Sequence, residues 1–185
     1  FSGTLITSTS NIGVFAGNTC DNLNATFPTA ATACDTAIQM LPPTATWGNS
    51  YYSVNYKNKG TNGSGYRIVA DQESTTVTIT GDTTGISPTT KTLAAGEIWT
   101  FAAFAGTGSS PNQSLTISAT KPILVGHYVF NAGAGGYSSL GVSDTGDASM
   151  SYLTPFQQFL DHYTITNPAS FRASFINLVV PESST

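Results

Sequence analysis

"TTVTITG", residues 75–81, puts Val77 and Ile79 on one face of an extended chain and threonines on the other. Side chains of a strand alternate between its two faces, so this β-branched run of period two predicts a half-buried strand. "PILVGHYVF", residues 122–130, lacks the alternation. A continuous apolar run of that length predicts a strand covered on both faces. Around these two lie "TLITST", "IGVFAG", "YYSVNY", "YRIVAD", "EIWTFAAF", "SLTISA", "HYTIT" and "FINLVVP", each bounded by Gly, Pro, Asn or Ser. Ten short segments without sustained 3.6-residue periodicity predict an all-β chain, in the form of a β-sandwich. Two helical turns are expected to interrupt it. "ACDTAIQML", residues 33–41, stops at Pro42-Pro43, and "TPFQQFLDHY", residues 154–163, offers Thr154 as N-cap and Pro155 at the first helical position.

Composition agrees. Of 185 residues only 9% are charged, against roughly 25% in ordinary soluble domains, while 29 are Thr and 21 are Ser. Thr is stiff at its branched Cβ and suits a pleated, half-exposed surface. With 39% hydrophobic residues, 11% aromatic residues and a net charge of −4, the chain is not of the disordered class. Six scattered basic residues leave no footprint for nucleic acid or an anionic membrane surface. No apolar run is long enough to span a bilayer. The chain starts at Phe1 without methionine or signal peptide, which reads as a processed product or an excised fragment.

Cys20 and Cys34 are the only cysteines. In a charge-poor, Ser/Thr/Asn-rich chain they read as one disulfide of an oxidising compartment, the alternative being two buried thiols. Closing so short a loop would contribute about 3 kcal/mol by chain entropy. Sequons at Asn24, Asn62 and Asn112 agree with an extracellular setting.

The chain also repeats itself. "LITSTSNIGVFAG" at 5–17 echoes "TISATKPILVGHY" at 116–128, pairing Ile6 with Ile117, Thr9 with Thr120, Ile12 with Ile123 and Val14 with Val125. "MLPPTATWGNSYYSV" at 40–54 echoes "YLTPFQQFLDHYTIT" at 152–166, pairing Leu41 with Leu153, Pro43 with Pro155, Trp47 with Phe159 and Tyr51 with Tyr163. "YRIVADQES" at 66–74 echoes "INLVVPESS" at 176–184. Three blocks in one order predict two related β units, residues 1–110 and 111–185, forming one compact module. The second unit lacks roughly its last thirty residues, so exposed strand edges are expected, to be covered by a neighbouring domain, a partner subunit or missing sequence.

Taken in order, "NIGVFAGNTC", "ACDTAIQMLPPTATWGNSYYSV", "YRIVADQESTTVTI", "TLAAGEIWTF", "ISATKPILVGHY", "GDASMSYLTPFQQFLDHYTIT" and "FINLVVP" resemble the N-terminal domain of the IgG Fc-binding protein family. The family comprises extracellular modules of mucus and cell-surface proteins. The resemblance implies a secreted or surface-displayed all-β adhesion module with a Cys20–Cys34 bridge. It places no binding residues on numbered positions, and antibody binding is not carried over. Where the family usually reads Gly-Asp-Pro-Ser-Met, this chain has Gly146-Asp147-Ala148-Ser149-Met150. Acid-labile Asp-Pro chemistry therefore has no basis here.

Catalytic readings are weak. No Gly-x-Ser-x-Gly elbow is present, His127 sits in an apolar run, and neighbours such as Asp161 and His162 are expected to point apart. Asp144, Asp147 and Asp161 are candidate glycosidase carboxylates, but no spacing selects a pair. "DTGD" at 144–147 reads as a turn before it reads as a calcium loop, so no cofactor is expected, calcium being the one weakly supported exception. The Gly-rich loops lack the strand–loop–helix setting and the Lys of a phosphate cradle. Aromatics near Asn- and Gly-rich loops are the better lead: Trp47, Tyr52, Tyr56 and Tyr137, with Asp147 as a hydrogen-bonding partner for a sugar. The chain thus reads as a non-enzymatic extracellular adhesion or recognition module for glycan or glycoprotein. The alternative is a structural or oligomerising tip of a longer surface fibre, and a carbohydrate-active enzyme is a remote third.

Overall fold

The computed structural model describes residues 3–21, 27, 35–54, 64–103, 114–130, 149–166 and 176–180. The fold is all-β and every ladder is antiparallel. Strands β1 (Phe15–Asp21) and β2 (Asp35–Met40) form a two-stranded sheet. A seven-stranded sheet holds β3 (Gly48–Val54), β4 (Ser64–Ala70), β5 (Thr75–Gly81), β6 (Thr90–Leu93), β7 (Ile98–Ala103), β8 (Ser114–Val129) and β9 (Ser149–Tyr152).

The spine of this sheet is β8, whose 16 residues fuse two runs that read separately in the sequence. Its first half lies between β3 and β5, with Tyr51 and Ile79 both opposite Ile117. Its second half lies between β4 and β9, with Arg67 and Tyr152 both opposite Gly126. Pro122 stands where the partners change. Proline cannot donate to a ladder, so it is tolerated at such a break, and its carbonyl accepts the Asp71 amide at 3.2 Å. Strands from both sides of residue 110 therefore share one sheet.

Alternation in "TTVTITG" becomes burial: Thr75, Val77 and Ile79 are buried, Thr76 and Thr78 only partly so. The continuous run becomes a strand buried throughout, from Ile123 to Phe130. The core gathers Tyr51, Tyr66, Ile68, Val77, Ile79, Leu93, Trp99, Ile117, Ile123 and Val125. Each large apolar side chain so buried contributes about 1.5–3 kcal/mol. Across β7, β4 and β8 the rings of Phe101, Tyr66 and His127 stack, with centroids 5.1 Å and 4.9 Å apart.

Neither expected helical turn forms as read. "ACDTAIQML" supplies β2, because hydrogen bonds to β1 hold it extended from Phe15↔Met40 to Asn18↔Ala37. "TPFQQFLDHY" contains only the 3₁₀ turn Phe156–Gln158, and Pro155 itself is the extended cap (φ −66°, ψ 149°), with no side-chain cap bond from Thr154. The turn begins at Phe156, so its cap position falls on Pro155, whose side chain cannot hydrogen-bond, and Thr154 lies one residue too early.

The hydrogen-bonding pattern recurs along the chain. The β1–β2 ladder runs Phe15↔Met40, Ala16↔Gln39, Gly17↔Ile38, Asn18↔Ala37, and the β8–β9 ladder runs Gly126↔Tyr152, His127↔Ser151, Tyr128↔Met150, Val129↔Ser149. Corresponding residues are 111 apart on one strand and 112 on the other. Just beyond, Leu41 N–H donates to Val14 O at 2.8 Å, and Leu153 N–H to Val125 O at 2.9 Å.

Candidate functional site

Each ladder runs into a proline corner. In the first, Pro43 is extended (φ −60°, ψ 148°) and leads into the 3₁₀ turn Thr44–Thr46. It is closed by Thr46 N–H to Pro43 O at 2.8 Å and Trp47 N–H to Thr44 O at 3.0 Å. In the second, Gln158 N–H donates to Pro155 O at 2.9 Å and Phe159 N–H to Phe156 O at 3.0 Å. Proline fixes φ and cannot continue a ladder, so it ends the strand and sets the corner at once. The indole N–H of Trp47 donates to Pro42 O at 3.1 Å, which pins the ring.

The two corners pack against each other. A Cβ at Gly48 would lie 2.3 Å from Pro155 Cβ, so the approach depends on glycine. The Gln157 amide donates to Asn49 Oδ1, and the Gln158 amide to the Thr46 carbonyl. Tyr52 meets Phe156 edge-on at 5.6 Å and Phe159 at 6.5 Å.

Between the corners is a cleft of about 130 Å³. Trp47, Leu124, Tyr152, Leu153 and Pro155 supply apolar wall, and Thr46, Thr154 and Gln158 supply polar atoms. Pockets for drug-sized ligands run to roughly 300–1,000 Å³, so this one fits a single ring or side chain. Tyr51 lies at its floor, accepting the Gly48 amide at 3.0 Å and donating to Ile123 O at 2.5 Å. Burial pushes the Tyr51 phenol up, against the lowering effect of the Gly48 amide. Burial also raises Tyr152, helped by Tyr128. Both phenols stay protonated at neutral pH, and among the described residues no acid, base or histidine lines the cleft. Its chemistry is stacking and neutral hydrogen bonding.

Trp47 thus lines the cleft, whereas Tyr52 stands beside it, against the outer corner rings. Tyr56, Tyr137, Asp147 and Cys34 lie outside the described residues. Cys20, on β1, is not a free thiol. Asp161 and His162 do not diverge as expected: His162 Nδ1 lies 2.7 Å from Asp161 Oδ1. Both are about nine-tenths exposed, in an irregular segment where helix and strand directions do not apply. The pair is a surface contact of small energetic weight. Tyr152, Leu124 and Gln158 were not singled out by sequence; Gln158 had a usable signal, the proline corner it shares with Thr46. Among the described residues no three His, Cys, Asp or Glu side chains gather as metal ligands, and no helix is long and apolar enough to cross a membrane.

The family model described as IgGFc binding protein matches residues 1–185, the whole chain. The chain belongs to that family. The family's description is that of a binding protein. No curated protein and no solved structure matches the chain.

Proposed function

We propose that this IgGFc-binding family member is a non-enzymatic, extracellular recognition module that binds a glycoprotein. A sugar ring or a planar side chain of the ligand enters the cleft between the proline corners and stacks on Trp47. The observation carrying this reading is the cleft itself: a pinned indole, apolar walls and three uncharged polar side chains, in a chain of a binding-protein family. Aromatic faces pack against the C–H faces of sugars while neutral side chains hydrogen-bond the hydroxyls. Tyr56 and Tyr137, which lie outside the described residues, stay candidates for further ligand contact on the sequence reading alone. Secretion or surface display and a Cys20–Cys34 bridge complete the reading, and resistance of both cysteines to alkylation until reduction would support the bridge.

The test is a glycan and glycopeptide array probed with the wild type, Trp47→Ala and Tyr137→Ala. Loss of the wild-type signal in Trp47→Ala, with the unfolding midpoint little changed, supports the cleft. Signal that survives Trp47→Ala but disappears with Tyr137→Ala moves the site to the loop. Silence of the wild type on every feature removes glycan recognition.

A further inference from the structure

The hydrogen bonds inside the cleft limit what it can hold. The Trp47 indole N–H is taken by Pro42 O at 3.1 Å and the Thr46 hydroxyl by Pro43 O at 2.7 Å. The Gln158 amide donates to the Thr46 carbonyl, and the Tyr51 phenol both accepts from Gly48 N–H and donates to Ile123 O. Four of the six polar side chains along the cleft thus spend donors on the corners themselves. The other two, Tyr152 and Thr154, carry hydroxyls that make no hydrogen bond among the described residues.

A sugar ring carries a hydroxyl on most of its carbons, and each one buried without a partner costs affinity. Two free hydroxyls do not meet that need. Walls of indole, leucine, tyrosine and proline instead suit a ring with C–H faces, an acceptor or two beside it, and no donor to strand.

Proline has each of these properties. Its ring is the one aliphatic ring of a polypeptide, and a cleft of about 130 Å³ holds a single ring. It has no N–H, so no ligand donor is left bare. A proline-rich segment is already extended as a polyproline II helix and loses little freedom on binding. Aromatic-lined grooves take such segments. We infer that the cleft receives a prolyl ring of an extended, proline-rich polypeptide segment, stacked on Trp47 and held by hydrogen bonds from the Tyr152 and Thr154 hydroxyls to the segment's carbonyls. The inference rests on the recognition reading above and deepens it, assigning the cleft to the polypeptide of a glycoprotein and not to its sugars. Among the described residues no charged side chain lines the cleft, so this binding is insensitive to salt.

Calorimetric titration of the full chain with decaproline blocked at both ends, beside a blocked Gly-Ser peptide of equal length and methyl β-galactoside, tests the inference. Saturable binding of decaproline alone is expected, unchanged by added salt. Trp47→Ala should weaken it at least tenfold, and the double variant Tyr152→Phe/Thr154→Val roughly tenfold. Thr154 is exposed and Tyr152 half-buried, so the double variant should fold as the wild type does, which an unchanged thermal midpoint would verify. Decaproline that fails to bind, or that binds either variant as tightly as the wild type, overturns the inference. A glycan array that responds through Trp47 while decaproline stays silent overturns it too, yet leaves the recognition reading standing. Silence of both removes both.

Discussion

Tyr51 and Tyr163 stand in the same corner of two related turns, each phenol oxygen accepting the amide three residues before it at 3.0 Å, yet Tyr51 is fully buried and Tyr163 is 68% exposed. The local hydrogen bond therefore does not require a surrounding core, and the core must account for any difference in energetic weight. Tyr51→Phe would leave the Gly48 amide and the Ile123 carbonyl without their buried partner. A cost of about 1–3 kcal/mol is expected. Tyr163→Phe should stay within about 0.5 kcal/mol, as for other surface changes. Urea midpoints of the two variants check this, and equal losses would show that Tyr163 is covered in solution.

The same contrast extends to Ile117 and Ile6, fully buried and 54% exposed respectively. Ile117→Ala opens a cavity where β3, β5 and β8 meet and should cost about 2–5 kcal/mol. Ile6→Ala should be nearly neutral in the isolated chain. Thermal unfolding of the two variants checks the difference.

Gly48 sits where the corners close on each other. Gly48→Ala would drive a methyl against Pro155 and Gln157, an overpacking cost of about 1–3 kcal/mol. It should also part the corners and weaken whatever the cleft binds. Urea unfolding and ligand titration should move together, and a stable variant with unchanged binding would show that the cleft does not depend on this contact.

The sequence was most legible where a short stretch carried its own burial pattern. Val77 and Ile79 against threonines, and the unbroken run ending at Phe130, needed no distant partner to be read as strands. "DTAIQM" carried no such pattern, and a short apolar run is ambiguous between helix and strand. It is extended because β1 lies beside it, a contact across the sequence that periodicity does not encode. β6, "TKTL", was missed for a related reason: only Leu93 faces the core. Within the site, Trp47 was visible as an aromatic beside Asn- and Gly-rich segments, although its pairing with Phe159 in the repeat pointed to corner packing. Tyr152 and Leu124 were not visible, because Tyr152 is placed by long-range pairing of β9 with β8, Leu124 lies on β8 itself, and neither carries a local mark.

His127 turns this burial into a pH dependence. It is 2% exposed, stacked on Tyr66, and its pKa is lowered from 6.5 to about 4 by desolvation. An unfolded chain holds the same imidazole near its ordinary value. Between about pH 6.5 and 4 the unfolded state therefore binds the proton that the folded state refuses, and stability falls as pH falls through that window. Above it both states are neutral, and below it both are protonated, so the loss levels off at about 3 kcal/mol. Carboxylates titrate in part of the same range, so the informative quantity is the difference between wild type and His127→Phe, which keeps a ring against Tyr66 and removes the proton. Measured by urea unfolding from pH 8 to pH 3.5, that difference should be constant above neutrality and shift toward the variant between pH 6.5 and 4. A flat difference across the whole range would mean that His127 is not held neutral by burial.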